Sequence, residues 1–269
     1  MFSRIIKRIL LGDVPFGLCT NANRYYFSNI DKISNKEYRY EAINSLLTNS
    51  GFVRLKDFDK FYETNLDTDY FINNYASSDL STPFYGYRRS LPISFQDTMS
   101  LLTKDVMNSL NIFSKPLRLL SPPYIVSASF TDKYKSDKIS LPDRLHFDRP
   151  DQVRLHIALN DLCHDSPHMI AIPGSNKYPC LSKKILPEVA CIGPKKSFFI
   201  HTGNTLHRLA PIKNGYRCTI NFSFGTDPDA ILKYKDLSVF FDGCNKYDIE
   251  SSAEYFQILC SHLSSQYFK

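Results

Sequence analysis

Between residues 124 and 225 short runs, separated by turn residues, alternate apolar and polar side chains with period two, and their polar faces carry mainly Arg, His, Asn, Gln and Ser. Over residues 152–159 one face carries Gln152, Arg154, His156 and Ala158. The other carries Val153, Leu155, Ile157 and Leu159. Over 217–224, Arg217, Thr219, Asn221 and Ser223 oppose Cys218, Ile220, Phe222 and Phe224, and in 125–131 Ser127, Ser129 and Thr131 share a face. Successive strand residues point to opposite sides of a sheet, so each strand has one apolar and one polar side. A simple surface sheet with its polar side in water gives this pattern too, but strands facing water favour Lys, Glu and Thr, whereas these polar residues suit an enclosed polar pocket. The pattern therefore predicts a mainly β chain with flanking helices: a barrel with a polar interior and an apolar outside, the outside covered by helices from the first part of the chain.

The flanking pattern agrees. Residues 34–50 carry Tyr38, Ile43, Leu46 and Leu47 at helical spacing, with Gly51 where a C-terminal cap belongs, and 51–58 then alternates like a strand. A second helix is predicted over 94–110, with a capping box at Ser94 and Asp97 and an apolar stripe of Phe95, Met99, Leu102, Val106 and Leu110. Pro116, Pro122 and Pro123 mark 111–123 as a connector, and a further helix is predicted over 251–266. This organisation divides the chain into an N-terminal extension (1–33), a main domain (34–226) with its β core at about 124–226, and a C-terminal helical extension (227–269).

Several classes of function find no support. No apolar run is long enough to span a bilayer, and the basic, apolar start at residues 1–11 is cut short by Gly12 and Asp13, too early for a secretory core. The net charge of +6 comes from scattered pairs such as Arg88–Arg89 and Lys195–Lys196, with no zinc-finger spacing, RNA-binding signature or glycine-rich phosphate loop, so nucleic acid is not the expected partner. The seven cysteines are odd in number and none forms a CxxC pair, which predicts free thiols in a reducing, cytoplasmic setting. A small molecule is the expected substrate; the oligomeric state has no sequence signal.

The chemistry-bearing residues are few. His146 and Asp148 stand two apart, which on a strand would place imidazole and carboxylate on one face. A second histidine, His207, would close a facial triad of two His and one carboxylate around a non-haem Fe(II), leaving three positions open. An isolated HxD is weak evidence in a chain with seven histidines. Ten residues after His207, however, Arg217 opens the polar face of the last clear strand, with Thr219 beside it. A 2-oxoglutarate molecule chelating the iron would extend its second carboxylate into the barrel, where a permanently charged, bidentate Arg with a neighbouring hydroxyl is the fitting partner.

HxD, a distal His and Arg-x-Ser/Thr ten residues later resemble the Fe(II)/2-oxoglutarate oxygenases built on a double-stranded β-helix, a cupin-like jelly roll. More narrowly, Gly51-Phe52-Val53 with Phe58, Leu159-Asn160-Asp161, the 167–175 stretch ending Pro173-Gly174-Ser175, and 197–208 ending His207-Arg208 are similar to motifs of the phytanoyl-CoA dioxygenase-like family. The likeness covers about residues 51–225 and departs from that family at Asn176, where His is usual, and at 165–167. It implies His146, Asp148 and His207 as iron ligands and Arg217 with Thr219 as the 2-oxoglutarate site. It also implies O2 as oxidant, with hydroxylation of a C–H bond in a small or carrier-linked metabolite as the default outcome; Asp148 argues against a halogenase, which would need a small residue there. Arg154-Leu155-His156 further resembles a segment of the aspartyl/asparaginyl and proline hydroxylases that lines the co-substrate pocket, which implies the same place for Arg154 and His156. Two other readings stand beside this one: a cupin-like metalloprotein, an isomerase or sugar-binding barrel without 2-oxoglutarate, and a non-catalytic scaffold. Zinc would also accept the His/Asp donor set. Substrate selection is expected from 60–95 and 131–145, with Lys133, Lys135 and Lys138 near the mouth.

Overall fold

The computed structural model describes residues 30–75, 87–90, 105–120, 123–129, 147–149, 151–176, 188–210 and 215–226. The capping box at Ser94 and Asp97, His146, and the helix expected over 251–266 lie outside these residues, as do both extensions beyond residue 30 and residue 226. Helix α1, Lys36–Ser50, forms where the apolar spacing predicts it. The Asn35 side chain accepts hydrogen bonds from the backbone N–H groups of Glu37 and Tyr38, capping the start. At the other end Gly51 adopts a left-handed φ of 67° and returns its N–H to Leu47 O. Strand β1, Phe52–Leu55, follows, then short helices α2, Phe58–Tyr62, and α3, Thr68–Tyr75.

The remaining strands are β2 (Tyr87–Ser90), β3 (Arg118–Leu119), β4 (Tyr124–Ser129), β5 (Gln152–Ala158), β6 (Met169–Ala171), β7 (Val189–Ala190), β8 (Phe198–Thr202), β9 (His207–Leu209) and β10 (Tyr216–Gly225). They form two antiparallel sheets. The larger runs β1-β8-β5-β10-β4-β2 with β3 paired to one end of β10, and the smaller runs β7-β6-β9. Strands β4, β5 and β10 match the alternating segments read from sequence.

The two faces of the large sheet separate as the alternation predicts. Val153, Leu155, Ile157 and Leu159, with Cys218, Ile220, Phe222 and Phe224, join α1 and α2 in one buried core. Phe198 of β8 is the aromatic centre of that packing: its ring lies 5.3 Å from Phe58 and 5.5 Å from Phe61, both edge-on, and 5.8 Å from Tyr62. Burying a side chain of this size is worth about 1.5–3 kcal/mol, so the helices are held to the sheet chiefly here. The opposite face carries Gln152, His156, His201, Thr219 and Asn221, all buried. At one end of that inner face a second apolar group joins the sheets, with Phe52, Ala158 and Phe199 from the large sheet against Met169 and Ala171 of β6.

One face differs from expectation. Ser127 was grouped with the polar residues of the pocket. Antiparallel pairing sets it directly across from Cys218, with Oγ 3.7 Å from Sγ, and cross-strand partners share a face. Ser127 is therefore on the helix-covered side, and Ser129 and Thr131 give no described side chain to test the rest of that set.

Candidate metal centre

Asp148 does not sit on a strand. Residues 147–149 are irregular and precede β5, so the same-face argument from HxD does not apply at Asp148. Other contacts fix its place. Asp148 N–H donates to Gly203 O at 2.7 Å, and Gly203 N–H donates to Gln152 O at 2.7 Å. The approach is so close that a Cβ at Gly203 would fall 1.7 Å from Arg149 O. Only glycine admits this crossing. Arg149 then clamps the next turn, with Nε and Nη2 donating to the two oxygens of the buried Asp151 at 3.0 and 2.8 Å.

His207 opens β9 from the turn after β8. Its Nδ1–H donates to Thr205 O at 2.9 Å, which fixes the tautomer and directs the Nε2 lone pair away from the backbone. That Nε2 lies 3.5 Å from Asp148 Oδ2. The turn is itself anchored by the end of α1: Gly51 O accepts from Thr202 N–H at 2.9 Å and from the Thr205 hydroxyl at 2.8 Å.

A third donor was not among the sequence candidates. His201, in β8, is fully buried, and its ring centroid is 4.5 Å from that of His207. Asp148, His201 and His207 each offer a ligand atom within 4.8 Å of the others. The sequence signal for His201 was its parity with Phe199, two residues before it. That signal is faint, because β8 is buried along its whole length and shows no polar alternation.

His156 and Arg217 share this inner face. His156 Nδ1–H donates to Asn221 Oδ1 at 2.6 Å, and His156 Nε2 lies 3.3 Å from His201 Nε2. His201 Nδ1–H has the Thr202 carbonyl oxygen at 3.2 Å, so the two Nε2 atoms face each other across that gap. Burial, then His201, Arg217 and Arg154, hold the His156 pKa well below its ordinary value, which keeps the ring neutral. Arg217 is buried and donates from Nη2 to Thr219 Oγ1 at 3.4 Å, and Thr219 donates on to Asn221 Oδ1 at 3.2 Å. Arg154 reaches the other way, its Nε 3.0 Å from Asp148 Oδ2.

Of the sequence candidates, Asp148 and His207 come together, and Arg217, Thr219 and His156 form one hydrogen-bonded line. Arg154 pairs with Asp148. The donor set of a carboxylate and imidazoles fits a first-row divalent metal, and Arg217 and Arg154 bring two permanent positive charges to the inner face, which suits an anion.

No family model matches the chain, and no curated protein matches it. Solved structures do. A structure described as the non-heme alpha ketoglutarate dependent epimerase SnoN from nogalamycin biosynthesis aligns over 70% of this chain and 82% of its own, with a TM-score of 0.50 and 16% identity. AviO1 from Streptomyces viridochromogenes Tue57 aligns over 71% and 96% at a TM-score of 0.47 and 16% identity. HygX from Streptomyces hygroscopicus, solved with nickel and 2-oxoglutarate, aligns over 67% and 85% at 0.45 and 14%. With two antiparallel sheets, helices on the outer face and a polar inner face, the chain has the cupin-like jelly-roll fold that SnoN has.

Proposed function

We propose that this chain is an Fe(II)- and 2-oxoglutarate-dependent oxygenase acting on a C–H bond of a small or carrier-linked molecule. The observation that carries the reading is the shared inner face, with Asp148 and His207 at one end of a polar line and Arg217 with Thr219 at the other. His146, Asp148 and His207 would hold the metal. His201 offers a further imidazole beside this set, and this reading keeps His146 as the ligand on the HxD spacing. Arg217 would take the far carboxylate of 2-oxoglutarate, helped by the Thr219 hydroxyl, and neutral His156 with Asn221 would hold Thr219 in place. With O2, iron and 2-oxoglutarate supply oxidation of the substrate C–H bond, the co-substrate leaving as succinate and CO2. The protein's own part is to orient both partners and exclude water. Cys163, Cys191 and Cys218 are free thiols, which suits a reducing, cytoplasmic setting.

Anaerobic titration with Fe(II), then 2-oxoglutarate, tests the reading in the visible spectrum. A weak charge-transfer band that requires both additions is expected. Metal binding without the band would favour a metalloprotein that does not use 2-oxoglutarate, and no metal binding would favour the scaffold. Arg217→Ala should weaken 2-oxoglutarate binding at least tenfold while leaving Fe(II) affinity nearly unchanged; equal loss of both would remove the assigned role. SnoN is described as an epimerase, so product mass must separate oxygen insertion from inversion at carbon. Hydroxylation predicts one added oxygen atom.

A further inference from the structure

We infer that Arg154 is a positioning residue for the metal-ligating carboxylate, holding Asp148 Oδ2 toward His207. The inference rests on the proposed metal centre and adds to it a device that the HxD pattern does not contain. Asp148 lies in irregular backbone, so no strand ladder fixes its side-chain direction. Its backbone is anchored through Gly203 O, and that leaves the carboxylate to be oriented by what touches it. Arg154 Nε lies 3.0 Å from Oδ2, and His207 Nε2 lies 3.5 Å from the same oxygen. One oxygen is thus aimed between a guanidinium and the proposed ligand.

The base of Arg154 is rigid. It sits in β5, which is paired on both sides, with Arg154 across from His201 of β8 and Ser223 of β10. The two side chains are partly enclosed, Arg154 at 28% exposure and Asp148 at 13%, so solvent screens the contact less than it would a surface pair. A carboxylate ligand is usually held by such an outer partner, and loss of that partner typically costs about 10–100-fold in metal affinity or activity. The contact is an ion pair and not an aligned hydrogen bond, so Arg154 acts through its charge, placed by a rigid strand root and a planar head. A lysine ammonium supplies the charge without the planar head.

The experiment uses the full chain without metal, titrated anaerobically with Co(II) alone and followed by visible absorption. Wild type, Arg154→Gln and Arg154→Lys are compared, with circular dichroism as the check on folding. Arg154→Gln should bind Co(II) about 10–100-fold more weakly, with an altered band pattern at saturation, and Arg154→Lys should recover part of the affinity. Wild-type affinity and an unchanged spectrum in Arg154→Gln would overturn the inference. So would a loss of 2-oxoglutarate binding alone, which would place the guanidinium on the co-substrate. Failure of the wild-type chain to bind Co(II) is a different result, since it sinks the metal centre itself.

Discussion

At the residue scale the open matter is which histidine completes the metal set. HxD points to His146, which lies outside the described residues, and the described geometry brings His201 to Asp148 and His207. His201 Nε2 faces His156, whose other nitrogen is held by Asn221, so His201 also stands at the end of a polar chain running toward Thr219 and Arg217. On the HxD reading, His146→Ala is expected to reduce Fe(II) affinity at least a hundredfold, as Asp148→Ala and His207→Ala should. His201→Ala should reduce it only a few-fold while weakening 2-oxoglutarate binding. Isothermal titration of the four variants decides this. The reverse ranking of His146 and His201 would rewrite the ligand set.

At the element scale the centre is assembled by backbone crossings more than by any one strand. The C-terminal cap of α1 holds the turn that presents His207, through Gly51 O and Thr205 Oγ1. A Cβ at Gly51 would fall 2.1 Å from that same Oγ1, on a backbone with φ of 67°. Gly51→Ala should therefore cost about 1–2 kcal/mol from the left-handed conformation alone, and should weaken metal binding by moving Thr205. Thermal melts and a metal titration of the same variant check both halves. A stable variant with intact metal affinity would show that the cap and the centre are independent.

This is also the scale at which sequence was most and least informative. Strands β5 and β10 were legible because each separates a helix-covered face from a polar one. α1 was legible because its apolar spacing ends at a glycine. Strands β6, β7 and β9 have two or three residues each, too few for any period to show. β8 hid His201 because both its faces are buried. Asp148 was found for a reason only half right: the HxD spacing singled it out, but its position comes from the crossing with Gly203, about 50 residues on, which no local pattern records, and from the Arg149–Asp151 clamp beside it. Arg154 stands on the inner-face side of β5, as its alternation predicts, and its ion pair with Asp148 has no signal in the sequence.

At the scale of the whole molecule the proposed metal ties together segments that otherwise meet only through the fold. Asp148 precedes β5 and His207 opens β9 in the smaller sheet, so a metal held by both would bind the folded chain and not the unfolded one. At a hundredfold excess over its dissociation constant such a ligand adds about 2.7 kcal/mol of stability. That corresponds to a rise of roughly 5–10 °C in melting temperature for a domain of this size. Scanning calorimetry with and without Fe(II) or Co(II), reversed by a chelator, measures it. A melting temperature indifferent to metal at concentrations that saturate the visible signal would contradict a centre that spans the two sheets.

The pairing of β1 with β8 has a consequence for how the protein is made. Gly51 and its partner Thr205 are 154 positions apart, and among the described residues β1 finds its only sheet neighbour in β8. During synthesis the apolar edge of β1 and the inner side of α1 must wait for that partner, for about 10–30 s at ordinary elongation rates. A nascent chain with an exposed strand edge and bare Phe52, Phe58 and Phe61 for so long is a natural client for ribosome-associated chaperones, and overproduction without them should yield aggregates even though the finished fold covers every one of those rings.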